Sequence, residues 1–147
     1  MTIEAPGLVR TARPDDADLI SGLLAQLGYP DRVANVRARL QRLEAIAGAG
    51  VLVAEVEGHV SALIAYQVMH LLERDRPRCR ITALVVHHDA RRHGLAGALM
   101  TRVEAVAREC GCSSLEVTTH ADRRDAAGFY LAFGFRERPR RLIKALG

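Results

Sequence analysis

Residues 81–99 read Ile81-Thr82-Ala83-Leu84-Val85-Val86-His87-His88-Asp89-Ala90-Arg91-Arg92-His93-Gly94-Leu95-Ala96-Gly97-Ala98-Leu99. An apolar run gives way to a basic, Gly-containing turn, which opens into apolar residues at helical spacing. The order is a buried strand, a turn and a helix start. The first turn of a helix leaves its backbone N–H groups unpaired. The helix dipole adds partial positive charge there, so main-chain donors can hold a phosphate or pyrophosphate. Gly94, Ala96, Gly97 and Ala98 are small, which lets a ligand approach the backbone, and Arg91 and Arg92 add charge. His93 and Leu95 lie in the same turn and offer main-chain groups. No Gly-Lys-Ser/Thr and no Gly-x-Gly-x-x-Gly is present, so the P-loop and the dinucleotide fingerprint are excluded. Taken alone, the turn also fits a plain helix cap with small residues for close packing.

Working outward, the strand extends back to Cys79. The helix carries Leu95, Leu99, Val103, Val106 and Cys110 on one face, and Gly111 ends it. Residues 113–119 form a strand, 125–133 a short helix stopped by Gly134, and 135–144 mainly a final strand. Upstream, residues 8–11 read as a strand. Pro14 with Asp15 and Asp16 starts a helix, since Pro suits the first helical position and acids suit its positive end. Leu19, Ile20, Leu23, Leu24 and Leu27 follow at helical spacing, and Gly28-Tyr29-Pro30 stops that run. Val33, Val36, Leu40, Leu43 and Ala47 share one face of a second helix ending near Gly48. Residues 51–56 and 59–69 pair as a hairpin about Glu57-Gly58, and 71–78 form a loop. The order β-α-α-β-β-β-α-β-α-β is an α/β arrangement with a mixed sheet. Its 79–119 segment should hold a parallel pair with a right-handed crossover.

The chain has 147 residues, one domain's worth, so residues 1–147 read as a single domain. At 49% hydrophobic and 26% charged it resembles an ordinary globular domain, not a disordered chain, a collagen-like repeat or a disulfide scaffold. Aromatics are only 4% with no Trp, which argues against a base-stacking RNA platform. The net charge of +4 suits a phosphate-bearing ligand without demanding nucleic acid. Three cysteines and no secretory pattern point to a reducing, cytoplasmic setting. No apolar run is long enough to span a membrane.

Two motifs carry a family resemblance. Arg91-x-x-Gly94-x-Ala96 resembles the Arg/Gln-x-x-Gly-x-Gly/Ala motif of the GNAT acyltransferase superfamily. Ala126-Ala127-Gly128-Phe129-Tyr130-Leu131-Ala132-Phe133-Gly134-Phe135 looks like that family's Ala-x-x-Phe-Tyr-x-x-x-Gly-Phe. The resemblance covers nearly the whole chain. It implies a mostly antiparallel mixed sheet flanked by helices. It also implies acetyl-coenzyme A as co-substrate, with its pyrophosphate on the 91–97 turn and its pantetheine arm along the main chain of Leu84, Val85 and Val86. The reaction implied is direct acyl transfer to the amine of a small molecule or peptide, with Tyr130 as general acid toward the leaving thiolate. Many members are homodimers. This sequence departs from the family pattern at Thr82, where many members carry an acid, and at Arg123, where many carry Asn.

No general base stands out; His70, Glu73, Glu116 and His120 are candidates. His87, His88, Asp89 and His93 suggest metal ligands, but adjacent residues on a strand point to opposite faces, so no metal is expected. Cys110 and Cys112 read as buried, inert thiols. Arg136–Arg141 reads as a solvated charged face. Two readings compete with the enzyme: a non-catalytic acyl-coenzyme A sensor or interaction module, and a nucleic-acid-binding domain. The second lacks any recognition motif.

Overall fold

A computed structural model describes residues 8–91, 93–118, 124–138 and 141–147. The chain divides into two compact units, Met1–Val117 and Thr118–Gly147.

The first unit is a five-stranded sheet with helices. Strands β1 (Val9–Thr11), β2 (Ala49–Val56), β3 (His59–Met69), β4 (Arg78–Val86) and β5 (Ser114–Val117) lie in chain order across the sheet. All neighbours are antiparallel except β4 and β5, which are parallel as the crossover required. Helices α1 (Ala17–Leu27) and α2 (Val33–Glu44) follow β1, and α3 (Leu95–Glu109) joins β4 to β5. The predicted helix start at Pro14 is a 3-10 turn, Pro14–Asp16, that leads into α1. The hairpin turn falls at Glu57 (φ 51°) and Gly58 (φ 79°). Positive φ at both central positions matches the right-handed strand twist. No helix among the described residues is long and apolar enough to cross a membrane.

Sheet residues Val51, Val53, Val60, Leu63 and Val85 cluster with Ile20 and Leu23 of α1 and Val36 and Leu40 of α2. Helix α3 packs against β3 and β4 and buries Leu95, Leu99, Met100, Val103 and Ala107. Two details of the sequence reading change here. Leu19 is exposed, and α2 ends at Glu44, so Ala47 lies beyond it. Cys110 is exposed, because α3 ends at Glu109 and its buried row runs through Ala107. Cys79 and Cys112 are buried. Burial away from water pushes the Cys79 thiol up to about 12, which suits an inert core thiol.

Strand β4 carries a bulge. Ala65 pairs with Ala83 and Tyr66 with Ile81, so Thr82 is the extra residue. The bulge reverses the alternation of side chains. Val85 and Ala83 join the core beneath α1 and α2, whereas Ile81 falls on the opposite face. Near the sheet's other edge, Arg10 donates from both terminal nitrogens to Asp16 at 2.8 Å and from Nε to Glu55 Oε1 at 2.7 Å. Arg10 holds the Asp16 carboxyl below its ordinary range, helped by the Arg13 N–H at 2.7 Å and opposed by burial.

In the second unit, α4 spans Arg124–Ala132 and Gly134 (φ 101°) follows its end. Phe129, Tyr130, Phe133 and Phe135 form a chain of ring contacts 5.5–5.7 Å apart. The predicted final strand is not found among the described residues 135–138 and 141–147. The segment carries Pro139, which removes a ladder donor, and its apolar Leu142 and Ile143 are exposed.

Candidate active site

The site is built where β4 runs out. Pairing of β4 with β5 covers only Arg78↔Ser114 to Ile81↔Val117. From the Thr82 bulge onward, β4 keeps β3 on one side and has no strand beside it on the other, among the described residues. The His87 N–H donates to Ser61 O of β3 at 2.8 Å. By strand alternation, Val86 and Leu84 then direct their main-chain groups away from β3. The Val86 carbonyl confirms this, since it accepts a hydrogen bond from Gln26 Nε2 of α1 at 2.7 Å. Leu84 therefore presents its backbone to the open edge. Val85 faces the core and is 6% exposed. Thr82 is exposed.

After Val86 the chain forms a 3-10 turn, His88–Ala90, then reaches Arg91 in an extended conformation. Gly94 caps α3 at φ 73°, a left-handed conformation that side chains resist. No side chain caps the helix, and no acid lies in its first turn. The first closing bond runs from the Ala98 N–H to Gly94 O at 3.0 Å. The N–H groups of Leu95, Ala96 and Gly97 precede it and emerge from the helix end. A Cβ placed on Gly94 or Gly97 would meet nothing within 4 Å. The missing side chains thus leave open space outside the backbone rather than relieve internal crowding. Leu95 is 2% exposed, so its side chain anchors the helix and only its N–H is available. Arg91 and His93 are exposed; Arg92 lies outside the described residues, as do His120 and Arg123.

Among the base candidates, His70 and Glu73 are exposed. Glu116 faces two guanidinium groups: Arg78 NH1 donates to its Oε2 at 3.2 Å, and Arg80 Nε lies 3.6 Å from its Oε1. Tyr130 is 8% exposed, with its ring edge-on to Phe129 and Phe135.

Strand alternation predicts opposite faces for His87 and His88, yet their rings stack with centroids 4.4 Å apart. The strand has ended and a 3-10 turn has begun, so strand alternation does not apply. Gln26 is the residue that sequence reasoning missed. Its Oε1 accepts the His88 N–H at 3.0 Å while its Nε2 holds Val86, 60 residues away in sequence. A single Gln on a helix gives no sequence signal of such a contact.

An open strand edge leads into an uncapped helix N-terminus, so unpaired main-chain donors line an extended path that ends at the helix's positive pole. Residues 19–135 match the Acetyltransferase (GNAT) family, and the chain belongs to that family of acyl-transferring enzymes. A 57-residue segment is 44% identical to the tRNA(Met) cytidine acetyltransferase TmcA of Aeropyrum pernix; it covers 39% of this chain and 8% of that protein's length. The fold is similar to that of a transcriptional regulator from Bacillus halodurans (TM-score 0.86, 20% identity, 95% of this chain and 99% of that one). It is also similar to the aminoglycoside N-acetyltransferase AAC(6')-Iy in complex with CoA (TM-score 0.83, 16% identity, 99% and 98% covered).

Proposed function

We propose that this chain is an acetyl-coenzyme A-dependent N-acetyltransferase that moves the acyl group directly from the thioester to a primary amine of a small molecule or peptide. The observation that carries this reading is the uncapped start of α3, with three outward N–H groups, beside the open β4 edge. The coenzyme pyrophosphate sits on the N–H groups of Leu95, Ala96 and Gly97, and Arg91, with Arg92 beside it in sequence, supplies charge. The pantetheine arm runs along β4 and bonds to the main chain of Leu84. Val86 contributes its N–H alone, because Gln26 occupies its carbonyl.

The amine attacks the thioester carbon, the C–S bond breaks, and the thiolate leaves. Orientation on the strand supplies much of the rate. A β4 main-chain N–H polarises the carbonyl oxygen. Tyr130 is assigned as the acid toward the thiolate on the strength of its motif. Thr82 cannot act as base, and Glu116 is engaged by Arg78 and Arg80. The proton goes to His70, Glu73, His120 or water, or the amine arrives neutral.

Thr82, standing where many members of the family carry an acid, favours a second reading, an acyl-coenzyme A-binding module without turnover. Calorimetric titration with acetyl-coenzyme A tests what both share. Binding in the micromolar range or tighter, lost in Gly94→Glu and weakened in Arg91→Ala, is the expected result. No binding by a folded protein overturns both. An amine screen with a Tyr130→Phe control then separates them.

A further inference from the structure

We propose that the amine acceptor carries a carboxylate of its own, as an amino acid does, and that Arg78 and Arg80 recognise it. This rests on the acetyl-coenzyme A reading and names the acceptor class of that same site.

The strand places the thioester. With the pyrophosphate at the start of α3, the arm runs back along β4 from Val86 to the Thr82 bulge. Four strand residues span about 13 Å. That brings the thioester of an extended arm to the point where β4 and β5 part, beside the paired residues Arg80 and Glu116. The two faces of the sheet differ there. On one, Cys79 and Ile81 are buried, and α3 packs across β3, β4 and β5. On the other, the register sets Gln67 and Met69 of β3, Arg78 and Arg80 of β4, and Ser114 and Glu116 of β5 side by side. Gln67 and Ser114 are exposed, and the three charged side chains are half-buried. A polar acceptor reaches the thioester from this second face.

Charge decides which amine it is. Arg78 donates from Nε to Ser114 Oγ and from Nη1 to Glu116 Oε2, both at 3.2 Å. Arg80 Nε lies 3.6 Å from Glu116 Oε1, too far for a hydrogen bond. Glu116 is the one acid among these six residues, against two guanidinium groups, so the group is net positive. Partial burial screens these charges less than open water would. An amine is cationic until it gives up its proton, and a polyamine is repelled here. A carboxylate on the acceptor reverses the sign. Guanidinium groups bind it in a fork, while Glu116 accepts from the amine N–H. An amine and a carboxylate on one carbon match the short spacing of Glu116 and Arg80. The nitrogen then bonds to the thioester carbon, the C–S bond breaks, the thiolate leaves, and the amine's proton passes to a base or to water.

Thiol release from acetyl-coenzyme A, measured with the common amino acids, their carboxamides and spermidine, tests this. At least one free amino acid should exceed its carboxamide in kcat/KM by about tenfold or more, with spermidine slower still. The carboxamide's amine is the less basic and so more often neutral, which makes the comparison strict. Arg80→Gln should remove the preference and leave coenzyme affinity unchanged, and Arg80→Lys should keep part of it. Thermal melts confirm that these variants remain folded. Carboxamides used as well as their amino acids overturn the proposal. So does a preference kept in the Arg78→Gln/Arg80→Gln double variant, or coenzyme binding with no turnover of any free amino acid. A parent chain that does not bind coenzyme overturns the underlying reading, and this proposal with it.

Discussion

Gln26 and Val86 are joined by a 2.7 Å hydrogen bond from the Gln26 amide to the Val86 carbonyl, which ties α1 to the last residue of β4. The same side chain accepts the His88 N–H. One residue thus fixes both the end of the strand and the start of the turn. Gln26→Glu keeps the acceptor but sets a carboxylate oxygen against the Val86 carbonyl. It should cost about 1–3 kcal/mol in urea unfolding, and Gln26→Ala about 1 kcal/mol. Equal stability of the three proteins would show that the contact holds nothing.

Gly97 offers a test in which stability and binding move in opposite directions. The space beside it is open and it lies inside a helix, so Gly97→Ala should stabilise the fold by up to about 1 kcal/mol. The added methyl group stands where a pyrophosphate would approach, so coenzyme affinity should fall. A melt and a titration on one sample suffice; tighter binding would place the pyrophosphate elsewhere.

Gly50 makes room for Tyr66. A Cβ at position 50 would overlap the Tyr66 ring and hydroxyl. Gly50→Ala should therefore destabilise by about 1–3 kcal/mol through overpacking. In a Tyr66→Ala background the same change should cost far less, which a double-mutant cycle in urea would measure.

Asp16 predicts an acid limb. Its folded pKa lies below the unfolded value because Arg10 and the Arg13 N–H bind the carboxylate. A depressed carboxylate contributes stability that is full above the unfolded pKa, about 3.9, and is lost as pH falls through the folded value. Unfolding curves between pH 6 and pH 2 should show the parent chain losing more stability than Asp16→Asn on the way down. Parallel curves would assign the acid limb to other groups.

Much of this could be read from sequence, for local reasons. The span of β3, the two-residue turn before it and the uncapped opening of α3 follow from alternation, Gly placement and small residues in a short window. The bulge could not. Cys79, Ile81, Ala83 and Val85 alternate perfectly on paper, yet one extra residue at Thr82 sends Ile81 and Val85 to opposite faces. Alternation does not reach the stacked histidines because the strand ends at Val86. The final strand expected over residues 135–144 is not found among the described residues, where Leu142 and Ile143 are exposed. Gln26 was invisible because its partners are 60 and 62 residues away.

The parting of β4 from β5 at Ile81 also makes the chain vulnerable. Exposed strand backbone is a template for any other extended chain, and nature usually blunts it with charge, proline or a covering element. Here the stretch after Thr82 is Ala83-Leu84-Val85-Val86, apolar and uncharged. If a thioester arm lies along it in the working enzyme, that arm doubles as the strand's cover. Starved of coenzyme, the protein would then be not merely idle but adhesive, and its shelf life would track the supply of its own substrate.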